Sequence, residues 1–230
     1  MKTFSISLIL TLAIMISAIG CDKTDAGPTG NELSGQYQNT FEQDAALMVA
    51  SLDGIASDSL SVEEGNGLLY MREEEKLARD VYSELYVKWN LRPFSNISRS
   101  EQMHMNAILS LVNRYSLQDP VDVNGAGVFK DEILQNLYNT LIVEGNKSVV
   151  DALEVGATIE EVDIVDLQKH LKETDNEDIT FVYDNLMRGS RNHLRAFVKN
   201  LKAQGVTYVP QYLTAAEYEQ IISTPMERGR

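Results

Sequence analysis

Six ionisable residues stand where the surrounding pattern calls for apolar ones: Glu75, Glu101, His104, Glu160, Asp163 and His193. Glu101 and His104 are three apart, as are Glu160 and Asp163, so each pair shares one face of a helix. A carboxylate turned toward a core is costly unless it is paired or bound to a cation. Carboxylate oxygens together with imidazole nitrogens are a donor set that suits iron, manganese or zinc. These residue types therefore point to a mono- or di-metal centre, iron-type first, with manganese or zinc as the other candidates.

The competing explanation needs no metal. Arg72, Arg79, Arg188, Arg191 and Arg195 are close in sequence to the same acids. A buried Arg–Glu–His network could neutralise them and specify helix register in a bundle used for binding or scaffolding. Each residue taken singly has an ordinary reading as well. Glu101 fits a capping box opened by Ser98, and each histidine fits a hydrogen-bonded core position. Glu73, Glu74 and Glu75 fit a solvated face with a Glu75–Arg79 pair. Glu74 lies on a rival stripe (Tyr70, Glu74, Leu77, Val81, Leu85) and is the alternative inward residue. Glu161 is off the seam and reads as exposed, and His170 reads as structural.

The elements that must position these groups are helices. Leu68, Met71, Glu75, Ala78, Tyr82, Leu85 and Trp89 recur three and four apart, which is the seam of an amphipathic helix. Ser61 with Glu64 caps its start. Asn90 to Asn96, with Pro93, reads as a connection. The second helix carries Ile97, Glu101, His104, Ile108, Leu111 and Tyr115, and Ser116 to Lys130 reads as a long turn region. A short helix over Asp131 to Glu144 is closed by Gly145. Ser148 caps the third long helix, whose seam includes Glu160 and Asp163. Glu177 to about Ala203 makes the fourth, with His193 on its seam and Gly189 marking a kink or close approach. Thr214 with Glu217 caps a last short helix. No period-two run indicates a strand. Four long helices with an extended connection between the second and third give an all-α four-helix bundle with a crossover helix between helices 2 and 3, as in ferritin-like folds.

The segment Glu75 to Tyr82 (EKLARDVY) resembles the first helix of rubrerythrin-type members of the ferritin-like superfamily. More closely, MREEEKLARDVY, SEQMHM and GSRNHLRAF are similar to domain-of-unknown-function family 2202, over about Leu60 to Ile222. The resemblance implies a ferritin-like bundle and carries no settled activity with it; the candidate ligands themselves suggest a protein that handles metal or reduced oxygen species, with oxidase- or peroxidase-like activity left open. Ferritin-like di-metal bundles place a Glu on each of two helices and E-x-x-H on the other two. This chain departs from that pattern at Ser190, three residues before His193, and Asp163 is the inferred replacement carboxylate. Tyr82 or Tyr183 is the expected hydrogen-bond donor to the ligands.

Residues 1–20 read as a secretory signal, with Lys2 followed by the apolar run Ile6 to Ile16. Ala18-Ile19-Gly20-Cys21 resembles a bacterial lipobox, although leucine is missing at position 18. That resemblance implies lipidation of Cys21, the only cysteine, and a membrane-anchored place in the bacterial cell envelope. Residues 21–60 then form a tether, 61–224 the helical domain and 225–230 a loose tail, with a short helix expected over Phe41 to Leu52. The formal net charge is −14 with no basic patch, which argues against a nucleic-acid partner. A homodimer is compatible with the chain.

Overall fold

The computed structural model describes residues 50–121 and 124–228. The expected signal, Cys21 and most of the expected tether, including the larger part of the helix at 41–52, lie outside the described residues. A 3-10 turn at Leu52–Gly54 precedes six α-helices: α1 Val62–Trp89, α2 Arg92–Arg114, α3 Glu132–Gly145, α4 Val149–His170, α5 Glu177–Ala203 and α6 Ala215–Ile222. Among the described residues there is no strand, as the periodicity indicates.

Local chemistry sets the helix ends. Ser61 Oγ accepts from Glu64 N and the Glu64 carboxylate accepts from Ser61 N, so both halves of the capping box form. Asn90 closes α1 in the left-handed region (φ 52°), a conformation that asparagine tolerates. The expected connection over Asn90 to Asn96 is a correction: α2 already starts at Arg92, with Pro93 in its first turn. Proline breaks a helix interior but suits a helix start, where its missing N–H has no partner to lose. Ser98 is therefore inside α2, where its hydroxyl meets Ser83 and the Arg79 carbonyl, and it caps nothing.

Only Asn90 and Leu91 separate α1 from α2, which makes them a hairpin. The α4–α5 pair is joined by 171–176 and packs as closely. The two hairpins meet along α1–α4 and α2–α5, and α3, inside the 115–148 connection, packs on α1 and α4. The apolar core divides in two. Leu77 to Leu85 of α1, Phe94 and Ile97 of α2, and Leu194, Phe197 and Leu201 of α5 belong to one cluster. Leu68 and Met71, Ala107 to Val112, and Ile179 to Leu186 belong to the other. On all three helices the changeover falls at the polar seam positions, so a polar layer crosses the bundle at one depth.

The end of the expected tether is already part of this body. Leu52 is buried, Arg114 donates to the Leu52 and Ile55 carbonyls at 2.7 Å each, and Asp58 N donates to Asn176 at 2.8 Å. The expected loose tail does not hold at Glu227, whose carboxylate takes Arg191 and Arg195 while its N–H donates to Asn192.

Glu64 ties α1 to the α4–α5 link, accepting from Thr174 Oγ1 at 2.6 Å and Asn176 Nδ2 at 3.0 Å. Burial alone would raise this carboxyl, but the bonds from Thr174, Ser61 and Asn176 overcome it and hold its pKa at about 2. A depressed folded pKa stabilises above the ordinary carboxylate range and is lost as pH falls toward the folded value. Urea unfolding of the wild type from pH 5 to 2 should lose stability that Glu64→Gln no longer has to lose. The gap between the two is about 2 kcal/mol at pH 5, with screening allowed for, and closes toward pH 2. Parallel pH curves for the two proteins would contradict this.

Candidate metal centre

The polar layer draws one or two side chains from each long helix. Glu75 comes from α1, Glu101 and His104 from α2, Glu160 from α4 and His193 from α5, and all five are buried. The two oxygens of Glu101 face different imidazoles. His104 Nδ1 is 2.7 Å from Oε2, and His193 Nδ1 is 2.9 Å from Oε1. Glu75 Oε2 completes the first group at 3.2 Å from His104 Nδ1, and Glu160 Oε2 completes the second at 3.4 Å from His193 Nδ1. The rings lie against each other with centroids 5.5 Å apart and planes 27° apart. Two three-residue groups result, Glu75–Glu101–His104 and Glu101–Glu160–His193, each with its ligand atoms within 4.8 Å of one another. Glu101 belongs to both, and either group could hold a metal ion.

Neighbouring residues fix these orientations. Tyr82 Oη donates to Glu160 Oε1 at 2.5 Å and also reaches the Gly156 carbonyl at 3.3 Å. His193 Nε2 meets Ser100 Oγ at 3.0 Å, a contact the spacing could have suggested because Ser100 lies three residues after Ile97 and four before His104. A Cβ on Gly189 would stand 2.7 Å from His104 Nε2, so this mid-helix glycine is a close approach that admits the imidazole. Of the two tyrosines expected to support the ligands, Tyr82 does so. The Tyr183 hydroxyl has no hydrogen-bond partner among the described residues.

Asp163 is not drawn into either group. Ser190, the residue that breaks the E-x-x-H pattern, donates its hydroxyl to Asp163 Oδ2, while Oδ1 has no donor. Glu75, not Glu74, is the member of α1 that joins. Glu74 is buried beside it on the α4 side, and Glu73 accepts from the N–H groups of Lys130 (2.6 Å) and Asp131 (2.9 Å). The solvated-face reading of the acidic triplet thus fails: α3 and its leading loop cover that face. Glu161, expected to be exposed, is buried because the segment before α6 folds over it. Its Oε2 accepts from three successive N–H groups, Gln211, Tyr212 and Leu213. His170 pairs with Glu173 at 3.0 Å, away from the centre.

The electrostatics follow from burial and adjacency. Burial works against charge on His193, but Glu101 and then Glu160 overcome it and push the imidazole up to about 10. His104 is raised in the same way by Glu75 and Glu101. Glu101 is held well below the carboxylate range by His193 and His104 in spite of burial. Burial raises Glu75 to about 7 against the pull of His104, and raises Glu160 and Asp163 as well. Four of the five guanidinium groups close to these acids in sequence are bonded elsewhere. Arg72 binds Asp119 and the Met105 carbonyl, Arg79 binds Asp80 and Gln102, and Arg191 and Arg195 bind Glu227.

The profile of the family described as "Uncharacterized protein domain (DUF2202)" matches residues 64–225. The uncharacterised protein MJ0754 of Methanocaldococcus jannaschii is 53% identical over 182 residues, covering 79% of this chain and 98% of its own. The crystal structure of hypothetical protein MJ0754 superposes with a TM-score of 0.74 at 54% identity, over 75% of this chain and 99% of that one.

Proposed function

Because the chain belongs to the DUF2202 family of uncharacterised domains, we propose its function from its own centre: a ferritin-like protein that holds a pair of iron-type cations and handles metal or reduced oxygen species with them. Glu75, Glu101 and His104 hold one cation, and Glu101, Glu160 and His193 hold the other. The single observation that carries this reading is the sharing of Glu101 between two oxygen-and-nitrogen groups. The donor set fits: Glu75 Oε1 is buried with no hydrogen-bond donor among the described residues, and the groups mix carboxylate with imidazole as iron, manganese and zinc accept. Bound there, such cations supply Lewis-acid or redox chemistry. The chain's own part is to aim the ligands, through Tyr82 on Glu160 and Ser100 on His193. The two hairpins, with α3 in their connection, support the ferritin-like assignment. The same proposal puts a lipid on Cys21 and the domain at the bacterial envelope, on the strength of the lipobox-like residues.

Metal analysis of protein purified without chelators tests the reading. Stoichiometric iron, manganese or zinc is expected, and a double His104→Ala/His193→Ala variant should retain none. No metal after repeated loading would instead support the metal-free bundle. Cation uptake should also displace protons, since the carboxylates beside both imidazoles favour their protonated form. Loading at fixed metal concentration should therefore strengthen as pH rises and release acid into an unbuffered solution.

A further inference from the structure

Charge is spread unevenly over this acidic chain. Residues 185–216 hold Arg188, Arg191, Arg195, Lys199 and Lys202 and no aspartate or glutamate, although the whole chain carries a formal −14. The five cations stand three or four apart on α5, so they form one stripe along the helix. This basic face corrects the sequence reading, in which the overall acidity concealed it. The three arginines are half-buried and the two lysines exposed. Arg188, Lys199 and Lys202 have no acidic partner among the described residues.

The middle of the stripe is filled by the chain's own tail. Glu227 Oε1 accepts from Arg191 Nε at 2.8 Å and from Arg195 Nη2 at 2.9 Å, while Oε2 takes Arg191 Nη2. Asn192, 1% exposed, bonds the main chain of the same residue. Its Oδ1 accepts from Glu227 N and its Nδ2 donates to the Glu227 carbonyl, both at 2.9 Å. Arg195 steadies that amide by donating to Asn192 Oδ1 at 2.8 Å. Two guanidinium groups thus read a carboxylate, and a buried amide reads the N–H and C=O of the residue that carries it. None of these contacts depends on Glu227 being joined to α6 through residues 223–226.

The tail offers one carboxylate to a stripe of five cations, and its next residue is the basic Arg228. A segment with more acids would pair the cations that the tail leaves without one. We propose that this face of α5 is a docking site for an extended acidic segment of a partner protein, which the chain's own tail covers until that segment displaces Glu227. Asn192 favours a peptide over other polyanions, because a sugar–phosphate chain has no paired N–H and C=O to give it. The site does not depend on the metal-centre reading.

Fluorescence anisotropy with a labelled oligoglutamate peptide at low salt tests the proposal. The full-length Glu227→Ala protein, whose site the tail no longer fills, should bind the peptide about tenfold more tightly than the wild type, where a tethered competitor occupies it. Adding Arg191→Gln and Arg195→Gln to that variant should abolish binding. Adding Lys199→Gln and Lys202→Gln instead changes only exposed side chains and should weaken it about fivefold. A peptide N-methylated at its glutamates lacks the N–H that Asn192 accepts and should also bind about fivefold more weakly. Equal affinity in the wild type and Glu227→Ala, or no loss in the lysine variant, would overturn the docking site. An oligothymidylate of the same charge binding as tightly as the peptide would overturn the choice of a protein partner.

Discussion

Glu101→Ala should remove both metal positions at once and cost the metal-free protein about 3–5 kcal/mol, the usual penalty for breaking a buried charge pair from one side. One carboxylate faces two imidazoles, at 2.7 Å from His104 and 2.9 Å from His193. Without it, His193 keeps only Glu160 at 3.4 Å and His104 keeps only Glu75 at 3.2 Å. Each three-residue group becomes a pair, too few protein ligands for a tightly held ion in this donor set. Glu75→Ala belongs to one group only and should leave the second able to bind. Manganese content after dialysis should thus fall to nothing in Glu101→Ala and to about half in Glu75→Ala, an order that follows from membership of one group or of both. Urea unfolding in chelator should show Glu101→Ala well below Glu101→Gln, because the amide keeps the volume and can still accept a hydrogen bond. Retention of the full wild-type metal content by Glu101→Ala would remove the shared ligand from the account.

The helices and most of the centre could be read from spacing because burial acts on each helix separately. A seam is a local property, and Glu75, Glu101, His104, Glu160 and His193 interrupt their seams at positions that the two apolar clusters bring to one depth. The misreadings share a different cause. Glu73 and Glu161 look solvent-facing on an isolated helix, and each is covered by a loop distant in sequence whose N–H groups it accepts. Asp163 lies on its seam, yet the hydroxyl that claims it belongs to Ser190 on another helix. Pro93 was ambiguous in kind: the same residue ends one helix and starts another, and only the two-residue link from α1 decides which. Choosing between Glu74 and Glu75 likewise required α2, since both acids are buried and only Glu75 meets His104. The Arg–Glu–His alternative turned on where long flexible side chains end, and spacing carries no information on that.

Gly156→Ala should destabilise the bundle, reversing the sign that glycine-to-alanine has in most helix interiors. Alanine ordinarily gains up to about 1 kcal/mol there through helix propensity and a less flexible unfolded chain. At Gly156 the added Cβ would stand 2.4 Å from Phe197 Cε1 and 2.6 Å from Cδ1 and Cζ, inside any real contact distance. The ring has little room to retreat, being fully buried with Tyr82 at 5.3 Å and Phe94 at 5.7 Å between centroids. Overpacking of this kind costs about 1–3 kcal/mol and outweighs the propensity gain, so a net loss of about 1–2 kcal/mol is expected for alanine and more for valine. The disturbance reaches the centre, because Tyr82, which packs on Phe197, also bonds the Gly156 carbonyl and the Glu160 carboxylate. Metal affinity should fall most at the group containing Glu160 and His193, leaving the group with Glu75 and His104 nearer its original strength. A Phe197→Leu change made together with Gly156→Ala, which removes the clashing ring edge, should recover part of the lost stability. Thermal unfolding of the single and double variants settles the sign, and an unchanged or raised Tm for Gly156→Ala alone would show that α4 and α5 can separate at this crossing without cost.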